Sequence, residues 1–208
     1  MIVFSTGSVD TPKDAHARHL ASVPKGIEHR LYLGPLAGNA AAHLHMARSR
    51  DPAEIVCLLD ADDWLTPGAL EHVARAHNDG AWVTYGSWMF ADGRHAPWQR
   101  AMTKEELESP REHPYLASHL KTFRAGLLAH LRPGELETPL GHGRDQALMF
   151  PLIDMAGPER VAHIAEVLYV YNWGNSFEFS ASPHELAEEA AVVKIIRARE
   201  PHARLETL

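Results

Sequence analysis

The sequence predicts a one-domain α/β fold, built on a mixed, mostly parallel Rossmann-like sheet flanked by helices. Three observations carry this. Apolar strand-like runs alternate with helix-forming runs through roughly the first 90 residues, the pattern that builds a parallel sheet. The run "EIVCLLD" is apolar throughout its middle, as suits a strand covered on both faces. The chain has 208 residues and 45% hydrophobic content, enough for one domain with a sizeable core.

The elements follow in order. "MIVFSTGS" is apolar-rich and reads as a buried strand that begins almost at Met1. "TPKDAHARHLASV" reads as a helix, with Thr11 and Pro12 as its cap and first residue. "EHRLYLG" is a short strand, "PLAGNAAAHLHMARS" an Ala-rich helix and "EIVCLLD" the third strand. "TPGALEHVARAHNDG" is a helix capped by Thr66, opened by Pro67 and stopped by Asn78-Asp79-Gly80. "AWVTYGSWMF" is a strand and "ADGRH" a turn. Residues 97–114 are polar and read as loop, with a short helix at "TKEELES" where Thr103 and Glu106 form a capping box. "SHLKTFRAGLLAHL" reads as helical from its Leu/Phe spacing, and "RPGELETPLGHG" as loop. "RDQALMFPLIDMAG" is a helix with Pro151 inside it, expected to kink there. "VAHIAEVLYVYNW" is a late strand. "SPHELAEEAAVVKIIRARE" is the last helix, with a capping box from Ser182 and Glu185.

Composition excludes several classes. A net charge of -7 argues against a surface built mainly to grip nucleic acid. The single cysteine, Cys57, lies in an apolar run, offers no disulfide framework and suits a reducing compartment. It reads as core packing. No apolar run reaches the roughly 20 residues needed to cross a bilayer. "MIVFSTGSVD" lacks the basic and long apolar regions of a signal peptide, and a cytoplasmic location is expected. Fifteen histidines are scattered without an HExxH or a Cys/His zinc spacing.

The chemistry concentrates in "DADD". Asp60, Asp62 and Asp63 crowd together after an apolar strand. In open α/β sheets, ligands bind beyond the carboxyl ends of the strands. Carboxylates there suit a divalent cation, which in turn suits a phosphate-bearing ligand. Asp60 and Asp62 point to one side if the strand continues through them. The bland alternative is an acidic lead-in that complements the dipole of the next helix.

"VCLLDADDWLTPGALE" resembles the metal-binding segment of glycosyltransferase family 2, a group with the GT-A fold. Other pieces resemble that family in the same order: "GSVDTPKDA", "GNAAAHLHMARS", "WVTYGSWMF", "SHLKTFRAGLL", "GRDQALMFPLIDMAG" and "VLYVYNWGNSFE". The resemblance covers nearly the whole chain. It implies a single GT-A-like domain, with 1–90 as the nucleotide-binding half and 91–208 as the acceptor-side half with the C-terminal helix. It implies an inverting, metal-dependent transfer of a sugar from a nucleoside-diphosphate sugar, a UDP-sugar favoured, to an acceptor hydroxyl. Asp62 would bind Mn²⁺ or Mg²⁺, Asp60 would contact the ribose or help the metal, and Asp63 would support them. Asp145 would be the general base; the plain alternative is an acid at a helix N-terminus. Asp10 of the "GSVD" element, with Ser5 and Thr6, would lie at the nucleotide.

The chain departs from the family at three points. Ser5 and Thr6 stand where the family has an Asp pair that includes a base-reading residue. Arg144 replaces the Glu of the late Glu-Asp pair. "GSVD" normally follows the second strand, so in that register the family's first strand and helix are lacking. These departures keep open a non-catalytic nucleotide- or carbohydrate-binding relative. A haloacid-dehalogenase-like phosphatase, which "LLDADDWL" mimics, needs its motif on the first strand.

Further candidates surround this frame. Tyr85 and Gly86, with Ser87, are expected near the donor sugar. Trp88 and Trp98 flank a polar loop and suit the acceptor side, while Trp82 reads as core. His119 and Arg124 are expected on a helix near the diphosphate or acceptor. His142, between two glycines, allows close ligand approach. Asn172, Asn175 and Ser176 are expected near the donor phosphates. The acceptor could be a glycan, a lipid-linked sugar, a protein or a small molecule. Compact relatives resemble viral or phage enzymes, so a modified DNA base is a further option, kept open by the basic strip Arg94, Arg100, Lys104, Arg111, Lys121 and Arg124.

Overall fold

The computed structural model describes residues 1–34, 47, 50–96, 98–138, 143–172 and 181–208. Its elements are β1 (Ile2–Gly7), α1 (Lys13–Ser22), β2 (Glu28–Leu33), β3 (Ile55–Asp60), β4 (Trp64–Leu65), α2 (Ala69–Asn78), β5 (Val83–Phe90), α3 (Lys104–Glu108), β6 (Lys121–Arg124), a 3₁₀ turn (Ala125–His130), α4 (Arg144–Ala156), β7 (Val161–Tyr171) and α5 (Pro183–Arg197). The helix expected across 35–49 lies largely outside the described residues.

Seven strands form one sheet in the order β2-β1-β3-β6-β5-β7-β4. β1 pairs in parallel with β2 and with β3. β6 runs antiparallel between β3 and β5, β5 pairs in parallel with β7, and β4 runs antiparallel at the edge. In the sheet β1 thus lies directly between β2 and the aspartate strand β3.

Burial on both faces explains the apolar runs. Side chains alternate along a strand, so Ile2, Phe4 and Val56 join one core with Phe123, Leu148 and Leu152. Val3, Cys57 and Leu59 join a second core with Leu70, Val73 and Tyr169. Helix α2 buries Leu70, Val73 and His77 at i, i+3 and i+7, the spacing of one helical face. In α4 every residue from Ala147 to Ala156 is buried, Pro151 included, and the helix runs unbroken through it. Both predicted capping boxes form, Thr103 with Glu106 and Ser182 with Glu185.

Three expectations are corrected. "SHLKTFRAGLLAHL" is not one helix: Lys121–Arg124 form β6, and only a 3₁₀ turn follows. β3 and β5 leave a gap that β6 fills, and ladder hydrogen bonds on both sides outweigh the local helical spacing. Thr66 does not cap α2. Its hydroxyl donates to the Val167 carbonyl at 2.5 Å, and Gly68, at φ 79°, precedes the helix instead. Thr11 does not cap α1: its hydroxyl donates to the Ser8 carbonyl at 2.8 Å, and Pro12 holds the capping position.

Candidate functional site

The carboxyl ends of β1 and β3 open onto a cleft of about 380 Å³, lined by Thr6, Gly7, Ser8, Asp10, Thr11, Pro12, Asp60 and Asp62. β3 ends at Asp60, and the chain then turns through Ala61–Asp63 into β4. Asp60 and Asp62 nevertheless line the same cleft. Asp63 turns the other way and is 1% exposed. Its carboxylate accepts from the Tyr169 hydroxyl and, at 2.6 Å, from the Asn172 backbone N–H. The Tyr169 hydroxyl also lies 3.3 Å from Asp60 Oδ2. Asp63 therefore ties the turn after β3 to β7 and the residue that follows it, and Asp60 and Asp62 are the carboxylates left on the cleft.

Burial and mutual repulsion set the charge of this cluster. Burial raises the Asp62 carboxyl to about 6, with the Asp60 charge adding to it. Burial also raises Asp60 and Asp63. The balancing cation is Lys121. Because β6 is antiparallel to β3, its first residue lies at the end where β3 finishes, with Leu58 opposite Lys121. The Lys121 side chain is only 4% exposed, and its ammonium lies 2.8 Å from Asp145 Oδ2. Asp145 sits in the first turn of α4 and remains 46% exposed. Burial works against the Asp145 charge, but Lys121 above all, by charge and hydrogen bond, with Arg144 after it, outweighs it and holds its carboxyl below the ordinary range. Burial opposes the Lys121 charge too, yet Asp145, Asp60 and Asp63 raise its pKa.

His119 sits just before β6, not on a helix. Its ring stacks on Tyr169 at 4.5 Å and Tyr171 at 5.3 Å, with Trp88 edge-on at 5.6 Å. Burial first, then Lys121, brings its pKa down to about 3, so the ring is neutral. Its Nδ1 is buried without a hydrogen-bond partner among the described residues.

The structure brings together Thr6, Asp10, Asp60, Asp62, Asp145 and His119 at this end of the sheet, and directs other candidates elsewhere. Ser5 is fully buried, and its hydroxyl pairs with His29 Nε2 at 2.9 Å, away from the cleft. Tyr85 is 2% exposed; its hydroxyl accepts from the Met102 N–H at 2.6 Å and donates to the Arg100 carbonyl. Gly86 makes room for Leu168, whose Cδ1 would lie 2.7 Å from an added Cβ. Trp88 is 6% exposed and belongs to the second core, whereas Trp98 beside it is 55% exposed. Arg124 lies at the opposite end of β6, where its guanidinium donates to the carbonyls of Ala53 and His77. The antiparallel strand separates Lys121 and Arg124 by its own length, which a helix would not have done. His142, Asn175 and Ser176 lie outside the described residues.

Sequence reasoning missed Lys121 and Tyr169 as members of the cluster. A lone lysine inside "HLKTF" was the available signal for the first. For the second it was a tyrosine in an otherwise apolar strand.

Asp60 and Asp62 fit a divalent cation. Among the described residues no three metal-ligating side chains come together. Two carboxylates on one cleft, completed by phosphate and water oxygens, are the usual donor set for Mg²⁺ at a phosphate site.

No protein-family model matches the sequence, and no curated protein sequence matches it. Solved structures do. S. aureus TarS 1-349 in complex with UDP-GlcNAc matches with a TM-score of 0.61 at 12% identity, over 94% of this chain and 66% of that one. TarS 1-349 in complex with UDP gives 0.59 at 13% identity, over 94% and 65%. A longer TarS structure gives 0.59 at 13%, with 39% of its length covered. The chain thus spans just under two thirds of the shorter TarS chain and far less of the longer. At such identities the likeness shows the fold alone, an α/β fold with a mixed Rossmann-like sheet.

Proposed function

We propose that this chain is an inverting glycosyltransferase that takes a nucleoside-diphosphate sugar, a UDP-sugar favoured. The observation that carries the reading is the pairing of two environments at one sheet end. Asp60 and Asp62 line a cleft and make no ion pair with a cation among the described residues, while Asp145 stands half-exposed and ionised against Lys121. The TarS structures that share the fold were solved with UDP and with UDP-GlcNAc.

Asp60 and Asp62 would hold Mn²⁺ or Mg²⁺, which offsets the charge that grows on a departing diphosphate. The protein's own residues do the rest. Thr6 and Asp10 border the cleft that would receive the nucleotide. Asp145 accepts the proton of the acceptor hydroxyl on its oxygen outside the ion pair. The acceptor oxygen then bonds to the sugar's anomeric carbon as the bond to the diphosphate breaks, and the electron pair leaves on the diphosphate oxygen. Attack from the face opposite the leaving group inverts that centre. Exposed Trp98, next to Trp88, offers a ring face to an acceptor sugar.

A non-catalytic nucleotide-binding relative is the second reading. It is favoured by Ser5, which is buried against His29 where the family carries an acidic pair. Thermal unfolding with a panel of nucleoside diphosphates, with and without Mn²⁺, tests the donor site. Saturation at 100 times the dissociation constant adds about 2.7 kcal/mol of stability. We expect a manganese-dependent shift with one nucleotide, UDP first among them, that Asp62→Asn abolishes. A wild-type protein that no nucleotide stabilises would remove the donor site. A shift without transfer or donor hydrolysis would favour the binding relative.

A further inference from the structure

The glycosyltransferase reading assigns nothing to Lys121, yet this is a buried cation at the centre of the cluster. Its 4% exposure and 2.8 Å ion pair to Asp145 Oδ2 show a lysine held in place. Four carboxylates crowd this end of the sheet, from β3 (Asp60), the turn after it (Asp62, Asp63) and α4 (Asp145). His119 beside them is neutral. Arg144 neighbours Asp145 on α4 and acts on Asp60 and Asp145, whereas Lys121, among the described residues, acts with Asp60, Asp63 and Asp145 alike. A lysine also differs from an arginine at such a place. Its ammonium is a point charge that can engage one carboxylate oxygen, whereas a guanidinium fork tends to cover both.

From this geometry we propose that Lys121 is the positioning residue for transfer: it fixes Asp145 by one oxygen and keeps the other turned to the acceptor hydroxyl. The inference rests on the glycosyltransferase reading and adds to it a built-in cation, fixed in the sheet.

A double-mutant cycle tests it, with UDP-GlcNAc hydrolysis as the reaction, water as acceptor and Mn²⁺ present. Lys121→Met keeps all but the last atom of the side chain and removes the charge. We expect its kcat to fall by about 10²-fold or more, with the KM for UDP-GlcNAc within about threefold of wild type. Asp145→Asn should fall by a similar factor, and the double variant should be no slower than Asp145→Asn alone, since Lys121 then has nothing left to hold. A merely structural role would instead make the two losses multiply. Multiplying losses, a Lys121→Met enzyme at wild-type rate, or a loss confined to KM would each overturn the proposal. If Lys121→Met does not fold, Lys121→Gln takes its place in the same cycle. Failure of the underlying reading looks different: wild type itself would neither bind UDP nor hydrolyse any nucleotide sugar, and the role of Lys121 would fall with it.

Discussion

Tyr169→Phe removes one oxygen atom from the sheet and should cost more than its size suggests. Tyr169 is fully buried in β7, and its hydroxyl donates to Asp63 Oδ2, lies 3.3 Å from Asp60 Oδ2 and accepts from the Asp60 N–H at 3.4 Å. Phenylalanine fills the same space, so no large cavity forms. What is lost is the donor to a carboxylate that is 1% exposed. An unsatisfied buried polar atom costs about 1–3 kcal/mol. The expected destabilisation is therefore about 2 kcal/mol. For a chain of this length each kcal/mol lowers Tm by about 2–4 °C, giving a fall of about 4–8 °C. Thermal and urea unfolding at neutral pH would measure it, with an unchanged urea m-value showing that the native state alone was affected. A Tm within about 1 °C of wild type would refute the reasoning, because Asp63 would then have another way to satisfy its oxygen.

Three other outcomes follow from particular contacts. Asp145→Asn should keep the nucleotide-induced thermal shift while donor hydrolysis falls by ~10²–10⁴-fold, the usual cost of losing a general base. Gly86→Ala should destabilise by about 1–3 kcal/mol in urea, because its Cβ would press on Leu168, itself 1% exposed. His77 is buried between the Ala81 carbonyl and the Thr122 hydroxyl, and burial lowers its pKa from 6.5 to about 4. The unfolded chain takes up that proton first, so the contribution is fully present above pH 6.5 and is lost as pH falls through about 4. At 1.36 kcal/mol per unit the limit is roughly 3 kcal/mol. Urea midpoints across that window should fall less steeply in His77→Gln than in wild type; equal slopes would contradict the assignment.

How much was legible differs between elements. Capping boxes were read correctly at Thr103 and Ser182, because both partners sit three residues apart and need nothing else from the fold. Thr66 looked like the same kind of signal and was not one, because the neighbouring strand β7 offered its hydroxyl a better-placed carbonyl. The stretch from Ser118 to Leu131 failed for a similar reason. Its helical spacing is local, while the gap between β3 and β5 is a property of the whole sheet.

The aspartate cluster, its place at a strand end and the acid opening α4 were determined by the sequence itself, since strand and helix ends follow from apolar periodicity and turn residues. Only the tertiary structure decided what each carboxylate meets. It separated Asp63, tied to Tyr169 from 106 residues away, from Asp60 and Asp62 on the open cleft. It brought Lys121 to Asp145 and carried Arg124 to the far end of the same strand. Those outcomes depend on which strand runs antiparallel and which edge it fills, and sheet pairing is settled by contacts between distant parts of the chain that no local pattern records.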